Sequence, residues 1–285
     1  MSGTLYLCAT PIGNLEDITL RVLRLLREAD LIAAEDTRHT RKLLNHFQIT
    51  TPLTSYHEHN SRAKGTHLIN LLQAGKSIAL VTDAGMPAIS DPGADIVLLC
   101  HQHGIHVTCA PGASAHSAAL AVSGFGSGRF TFEGFVPRDA KQRRERLASL
   151  AAETRTSIFY EAPHRLRDTV AEIAGQLAPH RNIAVISELT KLYEKTYIGK
   201  IADIAGDVAN MVPRGEFVII VEGVSEADIL AGERAEFKNI TAADHVELYI
   251  STGLDAKAAM KAAAKDRGVS KSAIYNELQR AKENV

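Results

Sequence analysis

The chain has 285 residues, which is enough for one large domain or two modest ones. It carries 32 lysine and arginine residues against 33 aspartate and glutamate residues, and the net charge is −1. This balance excludes a protein that coats nucleic acid with a globally basic surface, but it allows a local basic patch. The hydrophobic fraction of 45% and the charged fraction of 23% are ordinary for a globular protein.

The three cysteines, Cys8, Cys100 and Cys109, form no CxxC pair, which favours a reducing compartment and argues against a structural zinc site. No apolar run approaches the roughly 20 residues of a membrane span. The first residues, MSGTLYLCATPIG, have neither the basic region nor the apolar core of an export signal. We therefore expect a cytoplasmic protein without membrane contact.

Short β-rich runs alternate with amphipathic stretches along residues 1–123, where we predict an N-terminal α/β domain. The run SIALVT is almost wholly apolar, as expected for a strand that is covered on both faces. The alternation favours a mostly parallel, doubly wound sheet. The predicted strands are 4–9, 31–34, 77–82 and 105–109, and the predicted helices are 20–28, 93–103 and the stretch that follows Ser114.

The pattern restarts after the glycine-rich hinge GFGSGR, so we predict a second α/β domain over residues 124–225. Its predicted strands are 156–160, 182–187 and 217–222, and its predicted helix is 166–177. A polar linker is expected over residues 226–240, and a helical module over residues 241–285. The module's predicted helices are 242–251, 256–266 and 271–282. Their pattern resembles a helix-turn-helix and leaves RNA contact and simple packing as alternatives.

Three loops rich in glycine, proline and alanine follow predicted strands of the first domain. They read TPIGN from Thr10, DAGMPAISDPG from Asp83, and APGASA from Ala110. Such loops let a ligand approach the backbone closely, and ligands of open α/β sheets lie outside the carboxyl ends of the strands. Three loops of one sheet are therefore expected to converge on one ligand. The pattern is not GxGxxG, so a dinucleotide site is not predicted.

Two polar segments, AEDTRHTR and SYHEHN, lie between these loops in the sequence. His57 and His59 point the same way in an extended segment, but no third ligand has a recognisable spacing, so we predict no metal site. A solvated loop is one alternative. The other is substrate binding or proton transfer, which histidine suits near neutral pH.

In the second domain, FEGFVPR, YEAPHR and SELTK place charged side chains at or beyond strand ends. Five basic residues and two acidic residues fall between Arg138 and Arg146. This local positive charge is typical of a contact with a phosphate backbone, and equally of a solvated helix face.

Taken in order, the motifs LYLCATPIGNLEDIT, AEDTRHTRKLL, SYHEHN, VTDAGMPAISDPG, APGASA, FEGFVPR, FYEAPHR, SELTKLYE and RGEFVIIVEG resemble the ribosomal RNA small-subunit methyltransferase I family. The resemblance covers about residues 4–225 and extends to the helical tail. It implies the tetrapyrrole-methylase-like, class III fold, with S-adenosylmethionine in the cleft between two α/β domains. It also implies a homodimer, and 2′-O-methylation of a cytidine ribose in the decoding region of 16S ribosomal RNA or the small ribosomal subunit.

The resemblance and the strand-end positions together define the expected site. The expected cofactor contacts are Pro11, Gly13, Asp83, Ala84, Gly85, Ile89, Ser90, Ser114, Ala115, Tyr160, Ala162 and Leu189. The expected substrate contacts are Arg38, Arg41, Arg138, His164, Arg165 and Lys191. The candidates for a base that removes the ribose hydroxyl proton are His57, Glu58 and Asp36. The chain departs from the family pattern at Met86, where a threonine is expected.

Two other functions are compatible with parts of the pattern. The same fold could methylate a tetrapyrrole or a protein side chain, but the basic segment and the helical tail favour RNA as the substrate. A ribosome-assembly factor without chemistry is the other alternative. Three convergent ligand loops argue against it, because a pure RNA binder has no use for them.

Overall fold

The structure is a computed structural model that describes residues 2–58, 60–225, 228 and 240–283, except for the side chains of residues 62 and 281–283. The predicted linker therefore lies outside the described residues apart from positions 228 and 240. The chain divides into two compact units. One comprises Met1–Ala151 and Arg155–Glu222, and the other comprises Ala152–Thr154 and Gly223–Val285.

The first unit begins with the predicted doubly wound sheet. Its strands are β1 (Thr4–Cys8), β2 (Leu31–Ala34), β3 (Leu53–Ser55), β4 (Ile78–Val81) and β5 (His106–Ala110). Its helices are α1 (Leu20–Glu28), α2 (Thr37–His46), α3 (Ser61–Gln73), α4 (Ala94–Gln102) and α5 (Ala115–Ser123). The strand order is β3-β2-β4-β1-β5, and all pairs are parallel. The central strand β4 is buried along its whole length, which explains its apolar sequence.

Apolar side chains cover both faces of this sheet. Leu25 and Leu26 of α1 pack on one face, and Leu68 and Leu72 of α3 pack on the other. The polar segment that follows β2 begins helix α2, which the sequence analysis does not predict. Asp36 caps α2 by accepting a hydrogen bond from the Arg38 backbone N–H at 2.8 Å.

A second, mixed sheet follows in the same unit. Its strands are β6 (Phe130–Phe135), β7 (Thr156–Glu161), β8 (Asn182–Ser187), β9 (Lys195–Lys200) and β10 (Phe217–Val221). Its helices are α6 (Ala140–Ser149), α7 (Leu166–Gln176) and α8 (Ile201–Asn210). The strand order is β6-β7-β10-β8-β9, with β10 antiparallel to both neighbours. The structure thus confirms the expected α/β class with two sheets.

Helix α5 joins the two halves of the unit. Ala119 and Leu120 on α5 are buried against Ile158 of β7 and Val218 of β10. Burial of apolar surface contributes about 25 cal/mol of free energy for each Å² removed from water. These contacts therefore stabilise the position of one sheet relative to the other. Loops from both sheets are therefore held at fixed positions around the space between them.

The described part of the second unit forms three helices, as predicted: α9 (Ala242–Ser251), α10 (Ala256–Arg267) and α11 (Lys271–Glu283). Val246, Ala259, Ala263 and Ile274 form a small apolar core of their own. Gly268 ends α10 with a φ of 64°, and a short turn separates α10 from α11, where the sequence predicts a helix-turn-helix. None of the described helices has the length and apolar character that crossing a membrane requires.

Candidate functional site

The loops after β1 and β4 are tied together at the carboxyl edge of the first sheet. The Thr10 backbone N–H donates to the Gly85 carbonyl at 2.8 Å, and the Gly85 N–H donates to the Thr10 carbonyl at 3.0 Å. The Thr10 hydroxyl also donates to the Thr82 carbonyl at 3.0 Å. Gly85 has a φ of 82°, which a glycine adopts without the strain that a side chain brings.

A cavity of about 390 Å³ opens beside this bridge and is bordered by loops of both sheets, and we name it the cofactor cavity after the residues that were expected to contact a cofactor. Ten of the expected cofactor residues line it, namely Asp83, Ala84, Gly85, Ile89, Ser90, Ser114, Ala115, Tyr160, Ala162 and Leu189. Lys191, expected at the substrate, also lines it. The structure thus brings together the loops that follow β1, β4 and β5, and adds residues of the second sheet.

Pro11 and Gly13 lie outside the wall of the cofactor cavity, and Ile12 between them lines it. Gly13 instead lies close to the backbone and side chains of the loop after β8. A Cβ atom added to Gly13 would lie 2.5 Å from Cγ of Lys191 and 3.1 Å from the Leu189 carbonyl oxygen. The missing side chain therefore lets the β1 loop reach the loop after β8.

Strained backbone concentrates in two loops that border the cofactor cavity. Ala88 and Ser90 have φ angles of 68° and 60°, and Glu188 and Thr190 have φ angles of 51° and 67°. Among the described non-glycine residues, only Gln48 also has a positive φ. Such conformations cost of order 1–3 kcal/mol each and persist where the surrounding structure holds them, as at ligand sites.

The wall of the cofactor cavity is strongly acidic. Among the described residues it contains one lysine, Lys191, and the six carboxylates of Glu35, Asp83, Asp91, Glu161, Glu188 and Glu216. Glu188 pairs with Lys191 at 2.9 Å, and the buried Glu161 lies 3.5 Å from Nε of Arg165. The excess of negative charge predicts a ligand that carries positive charge.

Burial and mutual repulsion act on the carboxylates of this wall. Burial, with the nearby Glu35 carboxylate as a smaller cause, raises the pKa of Asp91 to about 6. Burial also raises the pKa of Asp83, whose Oδ1 accepts a hydrogen bond from the Asp36 backbone N–H at 3.2 Å. A bound cation would favour the ionised forms of both carboxylates, and perturbed pKa values cluster at functional sites.

Aromatic side chains also line the cofactor cavity. The Tyr160 ring contacts Phe132 and Phe135 edge-on, with ring centroids 4.9 Å and 5.6 Å away. The Tyr160 hydroxyl oxygen accepts a hydrogen bond from the His116 backbone N–H at 3.1 Å, and burial lowers the pKa of the His116 imidazole. Met86 also lines the cofactor cavity, so the departure from the family pattern falls at a ligand-facing position.

The sequence analysis misses several residues of the cavity wall. Glu35 and Asp91 belong to motifs that it quotes, and their position after a strand is a signal that could have singled them out. Glu216, Phe217 and Val218 reach the cavity because β10 lies between β7 and β8, and local sequence carries no sign of that pairing.

The structure separates the expected substrate residues. Arg41, Arg138 and His164 are exposed, and Lys191 lines the cofactor cavity. The guanidinium of Arg165 donates to the carbonyls of Val136 and Pro137 at 2.8 Å and 2.9 Å, so it fixes the turn after β6. In the basic segment, Arg143 pairs with Glu172 at 2.6 Å and Arg146 with Glu133 at 2.5 Å, which lowers the local positive charge.

None of the three base candidates lines the cofactor cavity within the described residues. The Asp36 carboxylate pairs with the Arg38 guanidinium at 2.7 Å, and this hydrogen bond lowers the Asp36 pKa. The His57 ring lies 3.1 Å from Nδ2 of Asn60, and Glu58 is exposed. His59, the second histidine of the rejected metal pattern, lies outside the described residues.

Known proteins resemble the chain in sequence and in fold. Residues 4–205 match the family described as Tetrapyrrole (Corrin/Porphyrin) Methylases. A ribosomal RNA small subunit methyltransferase I of Halalkalibacterium halodurans is 49% identical over 274 residues, which cover 96% of this chain and 94% of that protein. A protein of the same description from Thermotoga maritima is 45% identical over 221 residues, covering 78% of this chain and 99% of that protein. Among solved structures, a diphthine synthase has a TM-score of 0.60 at 15% identity, covering 78% of this chain and 90% of that one.

The raised pKa of Asp91 should make the affinity of the cofactor cavity for its ligand depend on pH. A bound cation favours the ionised form of Asp91, so the affinity for S-adenosylmethionine, the cofactor that the motifs imply, should fall as the pH drops below about 6. Asp91→Asn removes the titrating group and should flatten the profile. Calorimetric titrations between pH 5 and pH 7 on both proteins measure this, and a flat profile in the unsubstituted chain would contradict the prediction.

Proposed function

The chain belongs to the ribosomal RNA small subunit methyltransferase I family of the tetrapyrrole methylases, and on that premise we propose that it methylates the 2′-oxygen of a cytidine ribose in the decoding region of 16S ribosomal RNA. S-adenosylmethionine is the methyl donor of this family. The coarse activity, methylation of small-subunit ribosomal RNA, follows from relatives that align with almost the whole chain. The target position on the RNA is the finer part of the proposal.

The observation that carries the proposal is the acidic cofactor cavity. S-adenosylmethionine supplies, when bound, a methyl group that is activated by a positively charged sulfur. Glu35, Asp83 and Asp91 are suited to that charge, because they lie in one wall and few basic groups offset them. The loop from Asp83 to Ser90 and the Ser114–Ala115 turn offer backbone groups to the cofactor's polar parts, and the Tyr160 wall offers apolar surface.

The chain's own contribution to the reaction is orientation. Holding the acceptor oxygen in line with the transferred methyl group contributes of order 7–11 kcal/mol in well-aligned systems. A ribose hydroxyl is a poor nucleophile until its proton leaves, so a base next to it adds to the rate. His57, Glu58 and Asp36 are the proposed candidates from the motifs, while Arg41, Arg138 and His164 are exposed and suited to phosphate.

The observations favour RNA over the other substrates of the fold. The diphthine synthase and the tetrapyrrole methylases with solved structures are 15–19% identical to the chain, a likeness that extends to the fold alone. The relatives described as ribosomal RNA methyltransferases are 42–49% identical. We further propose that the enzyme is a cytoplasmic homodimer, as the family resemblance implies.

The helical tail is proposed to dock the RNA. From Asp255 onward it has seven basic and four acidic residues. The Thermotoga maritima relative aligns along 99% of its own length with only 78% of this chain, so about a fifth of the chain has no counterpart there. That share is close to the length from Gly223 to the end, which supports a catalytic core that does not require the tail.

The proposed acceptor can be tested on the RNA. A small-subunit substrate that carries a 2′-deoxycytidine at the target position should accept no methyl group, because the acceptor oxygen is absent. Transfer of radiolabelled methyl groups to the deoxy substrate and to a matched ribose substrate measures this. Equal labelling of the two substrates would show that the acceptor is another atom.

Truncation after Asn239 tests the tail. The shortened chain should fold, dimerise and bind S-adenosylmethionine as before, because the cofactor cavity lies wholly within the first unit. Its affinity for the ribosomal substrate should fall, with a shallower salt dependence because phosphate contacts are lost. Binding measured between 50 and about 200 mM salt reports both effects. Loss of cofactor binding would place the tail in the catalytic core.

A further inference from the structure

A second cavity of about 300 Å³, which we call the α2 cavity, lies beside the cofactor cavity at the same edge of the sheet. Thr10 and Pro11 of the β1 loop form one wall, and helix α2 forms the other. Asp83 lines both cavities, and the hydrogen-bonded pair Thr10 and Gly85 lies between them, since Thr10 faces the α2 cavity and Gly85 the cofactor cavity.

The α2 cavity differs in its ionisable side chains, because one lysine and two histidines line it beside Asp83. His39, Lys42 and His46 are spaced by three and four residues, so they lie along one face of α2, and all three line the cavity. Within the described part of the chain, no carboxylate lies within 4.0 Å of a basic nitrogen of these three side chains. The exposed basic face of α2 is therefore available to a ligand that carries negative charge.

A buried polar group also points to a ligand. Thr40 is 2% exposed and belongs to the cavity wall. Its hydroxyl oxygen has no hydrogen-bond partner within the described residues. A buried hydroxyl without a partner costs free energy, so a site of this kind is stabilised by a ligand that supplies a donor or an acceptor.

We propose that the α2 cavity binds the ribose phosphate of the acceptor nucleotide, with the phosphate at His39 and Lys42 and the ribose hydroxyl at Asp83. The proposal rests on the function proposed above, because it takes the acceptor to be a nucleotide. The Lys42 ammonium group suits the phosphate of the acceptor, and the carboxylates of the cofactor cavity suit the positive sulfur of the methyl donor.

Asp83 is then the catalytic base. The carboxylate accepts the proton of the ribose hydroxyl while the bond from oxygen to the methyl carbon forms and the bond from sulfur to that carbon breaks. Burial raises the pKa of Asp83, which makes its carboxylate a stronger base than an exposed aspartate. The hydrogen bond from the Asp36 backbone N–H to Oδ1 of Asp83 fixes the carboxyl group in place.

The binding test uses cytidine 5′-monophosphate as a probe and compares Lys42→Ala and His39→Ala with Lys76→Ala. Lys76 is a matched control, because it precedes β4 and thus lies at the opposite edge of the sheet. We expect Lys42→Ala and His39→Ala to weaken binding of the probe about ten-fold, as loss of a hydrogen bond to a charged group does. Lys76→Ala, which removes an ion pair with Asp30 at 2.9 Å, should leave probe binding unchanged. Lys42→Ala and His39→Ala should bind S-adenosylmethionine normally and keep their melting temperature.

The catalytic test uses Asp83→Asn and small ribosomal subunits. The amide keeps an oxygen for the Asp36 N–H but is a poor base, so kcat should fall about a hundred-fold or more while KM for the subunit stays within about two-fold. The rise of kcat with pH that reports Asp83 should disappear. His57→Gln compares this assignment with the base candidate of the motifs, because the residue whose loss lowers kcat more is the base.

Three results overturn the inference: probe binding that is unaffected by Lys42→Ala and His39→Ala, a kcat that survives Asp83→Asn, or a larger loss in His57→Gln. Failure of the broader proposal looks different. In that case the unsubstituted chain binds the probe through Lys42 and His39 but transfers no methyl group to ribosomal RNA.

Discussion

The pair of backbone hydrogen bonds between Thr10 and Gly85 is the contact on which the whole site depends. It joins the loop after β1 to the loop after β4 at the carboxyl edge of the parallel sheet. One partner lines the α2 cavity and the other lines the cofactor cavity, so the bridge lies where the two cavities adjoin. The left-handed φ of Gly85 is needed for this turn, which explains a glycine at this position.

The two cavities also differ in the charged residues that line them. Carboxylates line the cofactor cavity, where burial first and the nearby Glu35 second raise the pKa of Asp91 to about 6, whereas Lys42 and two histidines of α2 line the other cavity. Like charges held close together destabilise the free protein and favour ligands of the opposite charge. The proposed cofactor site and the proposed acceptor site are therefore built from the same loops, and Asp83 lines both cavities.

Much of the first sheet could be predicted from the sequence, because buried parallel strands such as β4 read as short apolar runs that end in glycine-rich loops. Helix α2 could not, because its first six residues, TRHTRK, are polar and its apolar residues come late. Strand β9 is exposed along much of its length and gives no apolar signal. The contribution of Glu216 to the site depends on the pairing of β10 with β7 and β8, which are distant from it in the sequence.

The loops were likewise predictable as a group but not residue by residue. The three motifs after β1, β4 and β5 converge as expected, since parallel strands end at one edge. Their individual side chains do not all face the same ligand. Pro11 turns to the α2 cavity, and Gly13 approaches Lys191 of the second sheet. The position of each of these residues depends on contacts between the two halves of the first unit, which cannot be read from the local sequence.

Calorimetric titration of S-adenosylmethionine into Gly85→Val tests the central claim most directly. The branched side chain enters the cofactor cavity, and the positive φ adds about 1–2 kcal/mol of strain. Gly104→Val is the matched control, because Gly104 has a φ of 64° but no described atom within 4 Å of an added Cβ. The account predicts that binding is lost in Gly85→Val and kept in Gly104→Val, with both variants folded. Unchanged affinity in folded Gly85→Val would show that the cofactor binds elsewhere.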